Sequence, residues 1–417
     1  MHKNIVCIIL AAGKGERMKS HLPKVLHPVC GRPMLLYVLD LVEALKFPCV
    51  VVVLGYGHQK IRPYLKKGLK IVIQRRLLGT ADAVKSALGA LKNFKGTVLV
   101  LYADNPLLKK ETIKKLLLYH RQNNLDVTLL TAMLEKPTGY GRVLRDKYAN
   151  ICGIVEENEA NDYEKQIKEV NTGVICFEKD KLVKAIKHLR LHRGKKEYYL
   201  TDCISVLYKE EALIDAVRLS DKEEALGVNS RQDLSLVNRV MQERINQKLM
   251  QEGVTIIDPK TTFIAYGTEI GKDTVIYPFT VIENDVKIGK NCSIGPFAHL
   301  REGTRLKDDV IAGNFLEIVR SKISSQTLIK HFGYLGDSRI GRGVNIGAGT
   351  VTANFDKGKK NVTTIKDGAF IGCDTVLVAP VKIGKTAVTG AGSVIPKNKD
   401  VAAGQVVVGI PARPIKN

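Results

Sequence analysis

From Ile264 to Leu306 an aliphatic residue returns at every sixth position without a miss: Ile264, Ile270, Ile276, Ile282, Ile288, Ile294, Leu300 and Leu306. Neither a helix, with its period of 3.6, nor a flat strand, with its period of 2, produces that spacing. A period of six marks a parallel β-helix, in which each six-residue strand and turn forms one side of a triangular coil and points its aliphatic residue inward. Further phases run through Ile340 and Ile346, and through Ile365, Ile371, Leu377, Ile383 and Ile395. Between the phases lie the polar stretches 321–335 and 351–364, which are expected to leave the coil as loops and to carry function.

Ahead of this region the pattern is different. Short β-branched runs at 5–10, 50–54, 97–102 and 127–133 alternate with helical stretches at 33–45, 81–91 and 111–119. Such alternation predicts βαβ units and a mostly parallel sheet, with ligands beyond the carboxyl ends of the strands. Between 231 and 252, Leu234, Val237, Val240, Met241, Ile245 and Leu249 recur at helical spacing. The fold class is therefore α/β followed by all-β: a Rossmann-like domain over residues 1–229, a linker helix over 230–252 and a left-handed parallel β-helix over 253–417.

Length and composition suit this division, since 417 residues, 45% hydrophobic and 26% charged, exceed one ordinary core. No apolar run approaches the ~20 residues of a membrane-spanning helix. The N-terminal apolar run ends in Gly13-Lys14-Gly15-Glu16-Arg17, which reads as a first strand rather than a signal peptide, so a cytoplasmic protein is expected. Eight scattered cysteines without a Cys-x-x-Cys argue against a disulfide framework or a zinc site. The net charge of +23 favours anionic ligands. Dispersed Lys and Arg, few aromatics and no Trp point away from nucleic acid, which leaves a basic proteome or small phosphorylated substrates as the reason for the charge.

The strand at 5–10 runs into Leu10-Ala11-Ala12-Gly13-Lys14-Gly15-Glu16-Arg17-Met18, then Leu22-Pro23-Lys24. Small residues let backbone N–H groups approach a phosphate, and Lys14, Arg17 and Lys24 add positive charge. With Met18 where a third glycine would stand, this is neither a Walker A loop nor a dinucleotide fingerprint.

The segment resembles the signature of nucleotide-sugar pyrophosphorylases. Gln74 with Gly79-Thr80, Tyr102-Ala103-Asp104, Gly139-Tyr140-Gly141-Arg142, Val155-Glu156, Asn171-Thr172-Gly173, Glu197 to Asp202 and Gly227-Val228-Asn229 follow in that family's order. The spacings resemble those of uridylyltransferases acting on N-acetylglucosamine 1-phosphate. The resemblance implies that Leu10, Ala11, Ala12, Gly13, Lys24, Gln74, Gly79 and Thr80 bind UTP. It implies that Gly141, Glu156, Asn171 and Asn229 bind the sugar, and that Asp104 and Asn229 hold Mg²⁺. Arg17 and Lys24 would stabilise the charge developing at phosphorus. Ala103, and Ala81-Asp82 where Gly-His is usual, depart from the pattern without removing a charged catalytic group.

The β-helix resembles the acetyltransferase half of bifunctional enzymes that make UDP-N-acetylglucosamine, through Arg301, Gly313 to Glu317, His331, Tyr334 to Asp337, Val344 to Thr350 and Asn354. The resemblance implies that His331, in an extruded loop beside Tyr334, is the base that deprotonates the acceptor amine. Arg301, Tyr334, Asn345 and Lys360 would bind the sugar phosphate. Asn354, Phe355, Cys373 and Ala391 would bind acetyl-CoA between the subunits of a homotrimer. Val319 stands where a substrate-binding lysine is usual, Phe355 replaces a tyrosine, Cys373 replaces a serine, and the arm expected after Pro414 is missing, with Arg320 a possible substitute cation. Two readings follow: a bifunctional enzyme, or a uridylyltransferase whose β-helix only trimerises or regulates.

Overall fold

The computed structural model describes residues 4–192 and 196–415. The chain divides into two compact units. One comprises the chain up to Val29 plus Pro33–Asn238; the other comprises Cys30–Arg32 plus the chain from Arg239 onward. The division falls inside the helix Arg231–Gln251 rather than at either of its ends.

The first unit is built on strands β1 (Ile5–Ala11), β2 (Cys49–Leu54), β3 (Lys70–Ile73), β4 (Thr97–Tyr102), β5 (Val127–Met133), β6 (Arg142–Arg145), β7 (Ile151–Val155), β8 (Glu169–Glu178) and β9 (Ile214–Arg218). They form one sheet in the order β9-β5-β8-β4-β1-β2-β3, with β6 paired to β8 and β7. β8 pairs antiparallel with β4, β5 and β6, and β6 with β7; the other pairs are parallel. β1 and the centre of β4 are buried on both faces, as their continuous apolar runs require. The chain steps from β1 outward to β2 and β3 and then returns to β4 on the other side of β1. That reversal makes the carboxyl ends of β1 and β4 the switch point of the sheet, where α/β folds open a crevice.

The second unit is a parallel β-helix with three long faces of ten, eight and seven strands. Each early coil takes 18 residues, so that Val275 pairs with Ser293 and Val281 with His299. Of the six-spaced aliphatics, Ile264, Ile276, Ile282, Ile294 and Leu300 are at most 1% exposed and Leu306 and Ile288 are buried, while Ile270, near the start of the coil, is only partly buried. Burying each such side chain is worth about 1.5–3 kcal/mol. The corners follow the same period: Asp273, Phe279, Asp285, Asn291, Phe297, Gly303, Asp309 and Phe315 all have positive φ. Buried hydroxyls close the coils, as when Thr274 donates to the Gly289 carbonyl (2.9 Å) and Thr327 to that of Gly341 (2.8 Å).

One expectation is corrected. Residues 321–335 do not form a loop; they contain strands Lys322–Ile323, Leu328–Ile329 and Gly333–Gly336 in full register. After Phe315 the next left-handed corner is Arg320, one residue early, and the coil shortens to 17, pairing Leu316 with Gly333. The inward residues pass from Ile318 to Ile323, and later from Leu335 to Ile340, in five steps instead of six. The second break is a real excursion, a small antiparallel hairpin of Phe355–Asp356 and Lys359–Lys360 that lengthens the coil so that Asn345 pairs with Phe370.

Candidate functional site

At the sheet's switch point the chain leaves β1 through buried Leu10, Ala11 and Ala12. The Leu10 carbonyl accepts from Ala103 N–H (3.0 Å) and that of Ala12 from Tyr56 N–H (3.1 Å), which pins the turn to both flanking strands. Gly13 is exposed. Gly15 has φ +64°, and a Cβ there would lie 2.7 Å from Lys24 Cβ, so only glycine lets the turn close over the lysine stem. Arg17 is exposed on the single turn Glu16–Met18, while Lys14 pairs with Glu16 at 2.9 Å.

Lys24 reaches the end of β4. Its Nζ donates to Asp104 Oδ2 and, at 3.1 Å, to Asn229 Oδ1. Lys24 and Asp104 side chains are only 15% and 13% exposed, so this ion pair is poorly screened. The Val228 N–H donates to the Asp104 carbonyl (3.0 Å), bringing Asn229 alongside. Asp233, in the first turn of Arg231–Gln251, accepts from the N–H groups of Asn229 (3.0 Å) and Ser230 (2.8 Å) and fixes that approach. One carboxylate and one amide oxygen thus converge on a single cationic atom. That oxygen donor set fits a hard divalent cation. Among the described residues there is no cluster of three or more His, Cys, Asp or Glu able to hold a metal ion.

Buried Gln74 donates through its amide nitrogen to the Gly79 carbonyl (3.0 Å) and to Asp82 Oδ2 (2.7 Å). Gly79 has φ +95°, and a Cβ would lie 2.5 Å from the Tyr198 carbonyl. Thr80 Oγ1 accepts from Leu200 N–H at 2.9 Å. On the other flank a Cβ on Gly141 would lie 3.6 Å from Glu156 Oε2, and Asn171 N–H donates to the Gly141 carbonyl (2.9 Å). Thr201 Oγ1 donates to Glu156 Oε1 at 2.8 Å. Two groups follow: Lys24, Asp104 and Asn229, and Gly141, Glu156 and Asn171.

In the β-helix the register sorts the candidates by edge. Leu328, Asn345, Phe370 and Val388 pair in turn across successive coils, as do Ile329, Ile346, Ile371 and Thr389. His331, Ala348, Cys373 and Ala391, each two residues beyond the latter set, are therefore equivalent corner positions. At about 4.8 Å per coil, His331 lies roughly 10 Å from Cys373 and 14 Å from Ala391. His331 is exposed in this corner, ahead of strand Gly333–Gly336, and not in an extruded loop.

The neighbouring eight-stranded face carries His299, Glu317 and Tyr334 in one column. At its far edge Arg301 Nη1 donates to Glu317 Oε1 (2.7 Å). Val319 is buried, whereas Arg320 grips Asp337 with Nε (2.7 Å) and Nη2 (2.8 Å), and Asn354 Nδ2 donates to the same carboxylate. Arg320, followed by Asn354, holds the Asp337 carboxyl below its ordinary range. The Asn354 amide nitrogen is thus engaged by Asp337. Phe355 and Lys360 stand exposed on the hairpin. Within one chain, Cys373 and Ala391 lie on one edge of this face, and Asn354 and Phe355 on the other.

Residues 7–172 match the family of MobA-like NTP transferase domains, and residues 267–314 match bacterial transferase hexapeptide repeats, six of them. The Bifunctional protein GlmU of Thermosipho africanus is 45% identical over 421 residues, covering 93% of this chain and 91% of that protein. That of Geobacillus sp. is 41% identical over 421 residues, covering 93% and 92%. The chain belongs to the GlmU family. Among solved structures, a UDP-glucose pyrophosphorylase complexed with UDP-glucose aligns with 58% of this chain at 15% identity and a TM-score of 0.48, a likeness too weak to bear on either site.

Several supports of this family member's site were not read from its sequence. Asp82, noted only as a departure, is what holds Gln74. Arg142, 1% exposed, pairs with Glu157 at 2.8 Å behind Gly141. His192 lies between Glu159 and Asp202, with each ring nitrogen 2.7 Å from a carboxylate oxygen. Only the recurrence of acids at 156, 157 and 159 hinted at a cation requirement there.

Proposed function

We propose that the chain makes UDP-N-acetylglucosamine with two active sites: the β-helix acetylates glucosamine 1-phosphate, and the α/β unit transfers uridylyl from UTP to the product. The observation that carries this reading is that family membership runs through both units, while the charged groups of the first converge on one point at the switch of the sheet.

In uridylyl transfer a phosphate oxygen of the sugar attacks the α-phosphorus of UTP and pyrophosphate leaves, so positioning and charge neutralisation do the work. The turn from Leu10 to Gly13 presents backbone N–H groups to the phosphates. Gln74, Gly79 and Thr80 receive the base; Gly141, Glu156 and Asn171 hold the sugar. Arg17 and Lys24 neutralise the charge that builds on the transferring and leaving phosphates. Asp104 and Asn229 are the groups that would hold Mg²⁺, which supplies Lewis-acid neutralisation of phosphate oxygens when bound. Lys24 donates to the same two oxygens, which keeps its ammonium at the carboxyl end of β4.

In acetyl transfer His331 takes a proton from the acceptor ammonium, the freed amine attacks the thioester carbonyl, and as the C–S bond breaks the new amide nitrogen gives up a further proton and the leaving sulfur takes one, so that CoA departs as the thiol. Arg301, Tyr334, Asn345 and Lys360 hold the sugar phosphate, whereas Arg320, beside Val319, is engaged with Asp337. Acetyl-CoA runs along the edge of Cys373 and Ala391. The separation of that edge from Asn354 and Phe355 supports a homotrimer, in which the edge of one copy faces the hairpin of another.

The test is thiol release from acetyl-CoA with glucosamine 1-phosphate, beside pyrophosphate release from UTP with N-acetylglucosamine 1-phosphate. His331→Ala should lower the first by about 10²–10⁴-fold and leave the second intact. A wild-type protein that releases pyrophosphate but never thiol would leave the β-helix as a non-catalytic module.

A further inference from the structure

His192 precedes the segment 197–202 that separates the two halves of the uridylyl site. Its Nδ1 lies 2.7 Å from Glu159 Oε1 and its Nε2 lies 2.7 Å from Asp202 Oδ2. A neutral imidazole carries a single N–H and can donate to only one of these acceptors; the imidazolium donates to both. The ring also packs on Tyr199, with centroids 4.5 Å apart. The backbone of His192 bridges that of Glu197. His192 therefore inserts a cation among acids contributed by every neighbouring element: Glu156 and Glu159 beyond β7, Glu197 on the bridge, and Asp202 at the start of the helix Asp202–Lys209.

The clamp adds to the Thr201–Glu156 bond in joining two parts of the site. On one side, segment 198–202 is fixed to the base-binding loop by backbone groups: Tyr198 N–H to the Leu78 carbonyl (2.8 Å), Ala81 N–H to the Tyr198 carbonyl (3.0 Å), and Leu200 N–H to Thr80 Oγ1. None of these bonds involves His192. On the other side lies the turn that starts at Glu156, whose carbonyl accepts from the N–H groups of Glu159 (2.9 Å) and Ala160 (3.0 Å). That turn is tied to segment 198–202 by Thr201 on Glu156 and by His192 on Glu159.

We infer that protonated His192 is a positioning residue for the acceptor sugar, holding the Glu156 turn against the base-binding segment by bridging Glu159 and Asp202. This rests on the reading of Glu156 as a sugar ligand given above. Burial pulls against the charged ring, but the hydrogen bond and charge of Asp202, and then Glu159, lift its pKa above the ordinary 6.5. Burial also raises the Asp202 carboxyl, from a start far below the imidazole, so near neutrality the mobile proton is the ring's. With the folded pKa raised, the clamp is complete at low pH and loses one of its two bonds as pH rises through that value, on the alkaline side of 6.5. The same acids, with burial foremost, push the Tyr199 hydroxyl up to about 12, so Tyr199 does not share this transition.

The experiment measures KM for N-acetylglucosamine 1-phosphate and for UTP by pyrophosphate release between about pH 6 and about pH 9, in wild type, His192→Ala and His192→Arg. Arginine keeps a two-headed cation at every pH. The wild-type sugar KM should rise roughly threefold to tenfold across the range, relative to His192→Arg at the same pH. The substrate's own titration is common to both proteins and cancels. His192→Ala should be high throughout, with kcat and the UTP KM little moved. On the wild type alone, histidine NMR titration should show N-acetylglucosamine 1-phosphate raising the His192 pKa, since the form that binds sugar is the protonated one. An unmoved His192 pKa, or identical pH profiles in wild type and His192→Arg, would overturn the inference while turnover left the uridylyl reading standing. Absence of any pyrophosphate release would overturn that reading itself.

Discussion

Replacing Lys24 by methionine tests the centre of the uridylyl site. Methionine keeps an unbranched stem of similar volume beneath Gly15, so the turn should still close. What is lost is the ammonium that donates to Asp104 and Asn229. With these side chains only 15% and 13% exposed, solvent replaces the charge poorly. Removing a charge aimed at a developing phosphate charge costs about 10²–10³ in kcat, or about 2.7–4 kcal/mol. Leaving the Asp104 carboxylate without its donor costs a further ~1–3 kcal/mol of stability, and at ~2–4 °C per kcal/mol the first unit should melt several degrees earlier. The assay is pyrophosphate release, with thiol release in the same preparation as the control that the β-helix is intact. A kcat within about threefold of wild type would refute the argument, because a salt bridge with no catalytic part could fall without changing turnover.

Two further outcomes are expected. Ile318 is fully buried between Leu300 and Leu335 of the adjoining coils, so Ile318→Ala should destabilise the β-helix by about 2–5 kcal/mol, and an unchanged thermal transition would contradict its inward placement. Cys373 is exposed, whereas burial pushes up the pKa of Cys7, Cys176 and Cys203. Iodoacetamide near neutral pH should therefore label Cys373 first, and acetyl-CoA should slow that labelling; labelling indifferent to acetyl-CoA would remove Cys373 from the proposed groove.

The β-helix was legible because its period is local. One inward aliphatic and one corner recur every six residues, and each position reports its own place in the coil. The same logic failed at 321–335, where two corners give up one residue each. A five-residue step looks from sequence like lost register, although Arg320 and Asp337 turn their corners with positive φ like the others. His331 was recognised as a candidate by its motif, but its position just ahead of strand Gly333–Gly336, in line with Ala348, Cys373 and Ala391, depends on pairing between coils.

In the α/β unit the sequence alone determined the alternation of strands and helices, the small-residue turn after β1 and the order of the family's motifs. Each of these is carried by neighbours in the chain. Tertiary structure alone decided that Lys24 meets Asp104 and Asn229, 80 and 205 residues away, and that His192 bridges Glu159 and Asp202. Periodicity records which way a side chain points from its own backbone. Which charges then face one another depends on strand order and loop path, and those are set by the packing of the whole sheet.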